Sequence, residues 1–270
     1  MYFKVATLRH SSVLYVDRQG QPTGAQARHD YQPIDVDFTL ENISKTERQF
    51  RDILHEFGAL SGMSKEDIDG LFKGDGFRRL VLAGGGVPRD CLSSFLEVVD
   101  NVSANDGRIG KDDVRSHSLE TFERRIEELK SDCEAQEQDA LLSGIYLVKS
   151  FCMDRKHAAF LVSEKLLRDN DEVRELLYRL LDYRIIHQVA SALPHKHREG
   201  TYRAFMIDIG CYASMRKLQG KFTEIDLWST KARDKLRSVP ILAFEEIRNR
   251  ASNIPDNPEE KLLLEAKDSL

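Results

Sequence analysis

Three consecutive glycines and a nearby proline interrupt the helical pattern of this chain and most constrain how it can fold. Residues 77–83 carry apolar side chains at helical spacing and run directly into glycines 84–86. Pro88 then stands where a first helical turn tolerates proline, and a new apolar face of Leu92, Phe95, Leu96 and Val99 follows. The pattern predicts two helices of a small bundle, joined by a turn.

Apolar periodicity elsewhere predicts a chain that is mainly α-helical with small β parts. A helix is predicted from near Thr46, with Phe50, Leu54 and Phe57 on its apolar face and Gly58 as its stop. Ser64, followed by the acids Glu66 and Asp67, is predicted to start a helix over residues 64–72. Further helices are predicted over residues 119–130, 141–151, 160–167 and 173–181. Residues 160–162 also fit a short strand.

The β-prone runs are short and lie at both ends of the helical part. Residues 185–189 and 202–209 flank a loop at 193–200, which predicts a β-hairpin. Residues 2–8 and 34–38 are predicted to be strands. The glycines and prolines within residues 11–37 predict that this segment is mostly loop.

Composition and charge exclude several classes of protein. The 270 residues contain 40 Lys and Arg against 45 Asp and Glu, a net charge of -5, so a nucleic-acid site must be a local basic patch. No apolar run is long enough to cross a bilayer, and the N-terminus lacks a signal peptide, so we expect a cytoplasmic protein with no membrane partner. The four cysteines have no CxxC spacing and are expected to be reduced, and no residues have metal-ligand spacing.

Residues 80–90, with the sequence LVLAGGGVPRD, resemble the sensor 2 region of AAA+ ATPases of the origin-recognition and initiator type. Residues 108–114 resemble the Lys-Ile-Thr-Val-Glu-Asp-Val segment that follows the lid helix in that family. Residues 3–10 resemble its sensor 1 strand. The resemblance implies that Arg89 reaches the γ-phosphate of ATP, with Thr7 and Arg9 as the polar residues of sensor 1. Arg28, Arg48 and Arg51 are arginine-finger candidates among which the sequence does not choose.

The resemblance implies a helical AAA+ lid bundle followed by a winged helix-turn-helix domain, as in the C-terminal half of a bacterial or phage-defence ATPase. The implied domains are 1–45 as a remnant of the ATPase core, 46–118 as the lid, 119–228 as the winged helix and 229–270 as a charged tail. The chain departs from the family because it has neither a Walker A nor a Walker B motif. It is therefore expected not to be an enzyme on its own, and to meet ATP and Mg²⁺ only if an N-terminal ATPase half is supplied. That half or other AAA+ subunits are the protein partners that the resemblance implies. It reads either as a fragment that starts inside the core or as a free-standing module.

The winged helix would place basic residues against double-stranded DNA. The candidate contacts on the third helix and in the hairpin are Arg174, Arg179, Arg184, His195, Lys196, His197, Arg198 and Arg203. Four to six phosphate contacts predict a slope of roughly -4 to -5 in log affinity against log salt.

Two alternative interpretations of the sequence compete with DNA binding by a AAA+ fragment. The acids Glu172, Glu175 and Asp182 interrupt the third helix, so the module could instead mediate protein interaction or homo-oligomerisation. A transcriptional regulator built on the winged helix alone would show base-sequence preference and no response to nucleotide.

Overall fold

A computed structural model describes residues 15–18, 21–25, 29–32, 39–103, 107–213 and 222–267. The chain separates into two units, residues 1–37 and residues 38–270. In the first unit, strands β1 (Tyr15–Arg18) and β2 (Gln21–Gly24) pair antiparallel where the sequence predicted loop, because four-residue strands are too short for their alternation to stand out. The strands predicted over 2–8 and 34–38 lie outside the described residues.

The second unit is mainly helical with a small three-stranded antiparallel sheet, which confirms the predicted fold class at that level. Its described helices are α1 (Ile43–Leu60), α2 (Lys65–Gly70), α3 (Gly76–Ala83), α4 (Pro88–Ser103), α5 (Lys111–Asp132), α6 (Ala135–Arg155), α7 (Glu164–Asp169), α8 (Asp171–Asp182), α9 (Ala232–Leu236), α10 (Phe244–Ala251) and α11 (Pro258–Lys267). None of these helices has the length and apolar character needed to cross a membrane.

Helix α1 runs through Gly58, which the sequence predicted as its stop. A Cβ atom at Gly58 would lie 2.6 Å from Cγ1 of Ile68, so this glycine lets α2 pack directly on the α1 backbone. Ser64 caps α2 as the sequence indicates, since its hydroxyl accepts from the Asp67 N–H and the Asp67 carboxylate accepts from the Ser64 N–H. Phe57, predicted on the buried face of α1, is 56% exposed.

Helix α4 buries Cys91 and Val98, whereas Leu96, predicted on its buried face, is 61% exposed. Helix α5 starts eight residues before the predicted Leu119 because the Asp113 carboxylate accepts from the Gly110 N–H at 2.7 Å and stabilises an earlier N-terminus. The domain boundary predicted near residue 118 therefore lies inside a continuous helix, and residues 38–270 form a single unit.

The sheet follows α6 and contains the predicted hairpin. Its strands are β3 (Ala159–Ser163), β4 (Ile186–Pro194) and β5 (Thr201–Ile207), in the order β3-β5-β4. Both partners of β5 are antiparallel to it. Helices α7 and α8 lie between β3 and β4 in the chain and meet at Asn170, whose side chain caps α8 by accepting from the Val173 N–H.

Residues 229–267 contain helices α9, α10 and α11, where the sequence predicted a charged tail of partial helix with frayed ends. The Leu161 N–H of β3 donates to the Pro240 carbonyl, and the Leu242 N–H donates back to the Leu161 carbonyl, so this segment covers the free edge of β3. Leu262 of α11 is fully buried, and α10 and α11 pack on α6.

Candidate functional site

The glycine turn between α3 and α4 has the geometry that its sequence demands. Gly85 and Gly86 have φ angles of 60° and 88°, in the region where residues with a Cβ atom are strained. A Cβ atom at Gly84 would lie 2.9 Å from Cβ of Cys91, so α3 and α4 approach closely there. The turn sets the first residues of α4 directly beside the end of α3.

Arg89 and Asp90, the first residues after Pro88, have opposite surroundings. Arg89 is exposed, and its guanidinium forms no ion pair or hydrogen bond within the described part of the chain. Asp90 is largely buried and lies 2.5 Å, Oδ2 to Nε, from Arg184 at the end of α8. Burial raises the pKa of Asp90, because the charges of Arg184 and Arg125 only partly replace the lost hydration. The ion pair of Asp90 therefore anchors the first turn of α4 to the end of α8, while the Arg89 side chain is exposed and has no partner among the described residues.

A buried polar cluster continues from this ion pair to the hairpin. Arg125 of α5 donates to the Arg184 carbonyl at 3.1 Å and lies 3.5 Å from Asp208, which follows β5. His187 of β4 is hydrogen-bonded through Nε2 to Oδ2 of Asp208 at 2.9 Å. Burial by itself raises the pKa of Asp208, but the Arg125 charge and the His187 hydrogen bond outweigh it and lower the pKa. The ion pairs and hydrogen bonds of this cluster link α4, α5 and the hairpin.

The arginines predicted to face DNA from α8 and the hairpin are paired within the protein. Arg174 lies 2.7 Å from Asp171, Arg179 lies 2.6 Å from Glu137, and Arg184 pairs with Asp90. Arg203 lies 2.6 Å from Glu164 and also donates to the Tyr178 hydroxyl. The structure thus brings none of these four to a surface as an uncompensated charge, because each has a carboxylate in contact.

The remaining predicted DNA contacts lie together in the loop between β4 and β5, which we call the wing (residues 195–200). Lys196, His197 and Arg198 are exposed, and His195 is half-buried against the ring of Tyr202. Arg198 forms no ion pair within the described residues, whereas Nζ of Lys196 lies 2.9 Å from Asp234 of α9.

Comparisons of this chain with protein-family models, curated proteins and solved structures gave no match.

The other predicted site residues belong to the sensor 1 resemblance and to the arginine-finger candidates. Thr7 and Arg9 of the sensor 1 resemblance, and Arg28 of the arginine-finger candidates, lie outside the described residues. Arg51 stacks over Phe77 at 4.2 Å and is paired with Asp69, so of the other candidates only Arg48 stays free of a described ion pair.

Helix α9 is a basic element beside the wing, within the residues that the sequence predicted to form a charged tail. It is held to β4 by hydrogen bonds from the side chains of Arg233 and Arg237 to the Ala192 and Pro194 carbonyls. The signal was available in the sequence, since residues 231–237 contain four cations and one acid in an acidic protein. Only the fold shows that this run lies next to the wing.

A groove between α3 and residues 222–228 contains several charges that compensate one another. Arg79 donates from both terminal nitrogens to the two carboxylate oxygens of Glu224, at 3.1 and 2.8 Å. Arg78 lies 5.3 Å over the Trp228 ring, whose Nε1–H donates to Glu47. Burial alone would raise the pKa of Glu224, but Arg79 outweighs it and lowers the pKa. These contacts hold residues 222–228 on α3.

The cysteines and histidines form no recognisable reactive centre in the described part of the chain. All four cysteines are free thiols, and burial raises the pKa of Cys91, Cys152 and Cys211, which disfavours the reactive thiolate. Among described residues, no three His, Cys, Asp or Glu side chains are grouped to hold a metal ion.

Proposed function

We propose that this chain is a lid and winged-helix portion of an initiator-like AAA+ ATPase, and that it binds double-stranded DNA through the winged helix. The observation that carries the proposal is the element order α6, β3, α7, α8, β4 and β5, with sheet order β3-β5-β4. A helix pair joined at one residue and followed by a β-hairpin is the arrangement expected of a winged helix-turn-helix. The lid in this proposal consists of α1 to α4 and the start of α5.

Nucleotide sensing through Arg89 is the second part of the proposal. An arginine that acts on a phosphate held by another polypeptide segment must be exposed and free of internal carboxylates, and Arg89 meets both requirements. Asp90 supports this role because its pairing with Arg184 holds the first turn of α4 in place.

Fluorescence anisotropy with a labelled DNA duplex over a salt series tests the DNA-binding part. We expect binding at low salt that weakens with a slope of roughly -4 to -5 in log affinity against log salt. Absence of binding at low salt would contradict the proposal. A strong base-sequence preference without any nucleotide effect would favour a transcriptional regulator instead.

Joining the chain to a P-loop half tests the sensor. We expect Arg89→Ala to weaken MgATP binding or hydrolysis by the joined polypeptide, because one charge-assisted contact to the γ-phosphate is lost. Arg248→Ala, which removes an exposed arginine from α10, serves as the control. Equal behaviour of the two variants would remove Arg89 from the mechanism.

Protein interaction is a second candidate function, and the paired arginines of α8 favour it. The exposed part of that helix presents Glu172, Glu175 and Asp182 beside cations that already have carboxylate partners. A stable homo-oligomer in light scattering, together with no DNA binding, would support this alternative.

A further inference from the structure

Helix α9 and the wing form one continuous basic surface. Besides the carbonyl contacts of Arg233 and Arg237, the Lys196 N–H donates to the Arg237 carbonyl at 2.9 Å, and Nζ of Lys196 contacts Asp234. Ala232 and Leu236 are buried one helical turn apart and fix the orientation of α9 on the protein. The basic positions of α9 consequently lie on its outer side.

The charge of this surface is strongly positive in a chain whose net charge is -5. Residues 195–201 and 229–238 contain two acids, Glu199 and Asp234, against six lysines and arginines, a surplus of four positive charges. The six are Lys196, Arg198, Lys231, Arg233, Lys235 and Arg237. Such a local surplus attracts a polyanion even when the whole protein is acidic.

The same surface has few internal partners for its charges. Arg198, Lys231 and Lys235 form no ion pair within the described residues, and Arg233 donates only to a neutral carbonyl. Among the carboxylates that the structure describes, only Asp234 contacts this group, through Lys196 and, at 3.7 Å, Arg237. Arg174 and Arg179 of α8, in contrast, each contact a carboxylate.

We propose that double-stranded DNA is bound by this wing–α9 surface (residues 195–201 and 229–238), and not by α8. The inference rests on the proposed function and names the surface that carries it out. Free lysines and arginines on a wing and a short surface helix suit phosphate contacts, which position the duplex without reading its bases. We therefore expect weak sequence preference and a salt slope near -4, as follows from four uncompensated charges.

Two double variants that remove equal charge test the surface. Arg198→Ala with Lys235→Ala removes two cations from the wing–α9 surface, and Arg174→Ala with Arg179→Ala removes two from α8. We expect the first pair to reduce the salt slope by about 2. The affinity gained between about 1 M and about 0.1 M salt should then be smaller by roughly 60-fold, since two contacts contribute about 1.8 log units per decade of salt. We expect the second pair to bind like the wild type. Thermal unfolding of each variant checks that the fold is retained.

The outcomes separate the inference from the proposed function. Loss of binding in the α8 variant alone, or equal loss in both variants, would overturn the wing–α9 assignment and leave DNA binding standing. No binding by the wild type at low salt would overturn both. Equally tight binding of polyglutamate at matched charge would overturn DNA as the partner of this surface.

Discussion

The imidazole of His187 occupies the space that a side chain at position 85 would need. A Cβ atom on Gly85 would lie 2.4 Å from Cε1 and Nδ1 of that ring. The central glycine of the turn before α4 is thereby in contact with strand β4 of the hairpin. Glycine is therefore needed at position 85 for two reasons, the positive φ angle of the turn and the contact with a ring about one hundred residues later in the chain.

Substitution of Gly85 by alanine should destabilise the protein more than the same change at Gly62. Both glycines have positive φ angles, so both variants suffer a backbone cost of about 1–2 kcal/mol. Gly62 has open space around it, whereas alanine at 85 meets the ring and should cost a further 1–3 kcal/mol. Urea unfolding measures both variants. Equal losses would show that the ring contact is not restrictive, and adding His187→Ala to Gly85→Ala should recover part of the difference.

Asp90 and Arg184 should be energetically coupled. Removing one partner leaves the other charge without compensation, although Arg184 is 35% exposed and water will replace part of the interaction. We expect a double-mutant cycle of Asp90→Asn with Arg184→Met to give a coupling energy of at least about 0.5 kcal/mol. Additive effects of the two changes would contradict the coupling. The exposed pair of Arg124 and Glu97 provides a control with weaker expected coupling.

Stability should decrease as the pH falls below about 6.5 because of buried histidine. Burial lowers the pKa of His117, more than Glu97 and Glu120 raise it, so the unfolded chain binds this proton more tightly than the folded one. The stability contribution is complete above the unfolded pKa and is lost as the pH falls toward the folded pKa. His117→Gln should reduce the slope of the unfolding free energy against pH by up to about 1.4 kcal/mol per pH unit. An unchanged curve for this variant would show that His117 does not contribute.

The part of the DNA affinity that depends on His195 should increase only at a pH below the usual histidine range. Burial, followed by the charges of His197 and Arg198, lowers the pKa of His195, so the wing gains this charge later than an isolated histidine would. Anisotropy titrations between about pH 7.5 and about pH 5.5, with His195→Gln as the comparison, measure the effect. An affinity increase centred near about pH 6.5 that His195→Gln abolishes would contradict the lowered pKa.

The amino-acid sequence by itself determined the local elements of this protein. Apolar spacing predicted most helices, the Ser64 cap predicted the start of α2, and glycines 84–86 predicted the turn before α4, because these features depend on neighbours within a few residues. The β-prone runs around residues 193–200 likewise predicted the hairpin.

Only the tertiary structure decided which charges are free and which residues share a surface. Local spacing marked Arg174 and Arg179 as outward-facing cations, but the partner of Arg179 is Glu137 on another helix. It also assigned α9 to a tail, although this helix packs beside a wing more than thirty residues earlier in the chain. Ion pairs and helix contacts join residues that are far apart in sequence. Which residues meet depends on how the whole core is buried, and short-range sequence patterns carry no information about that.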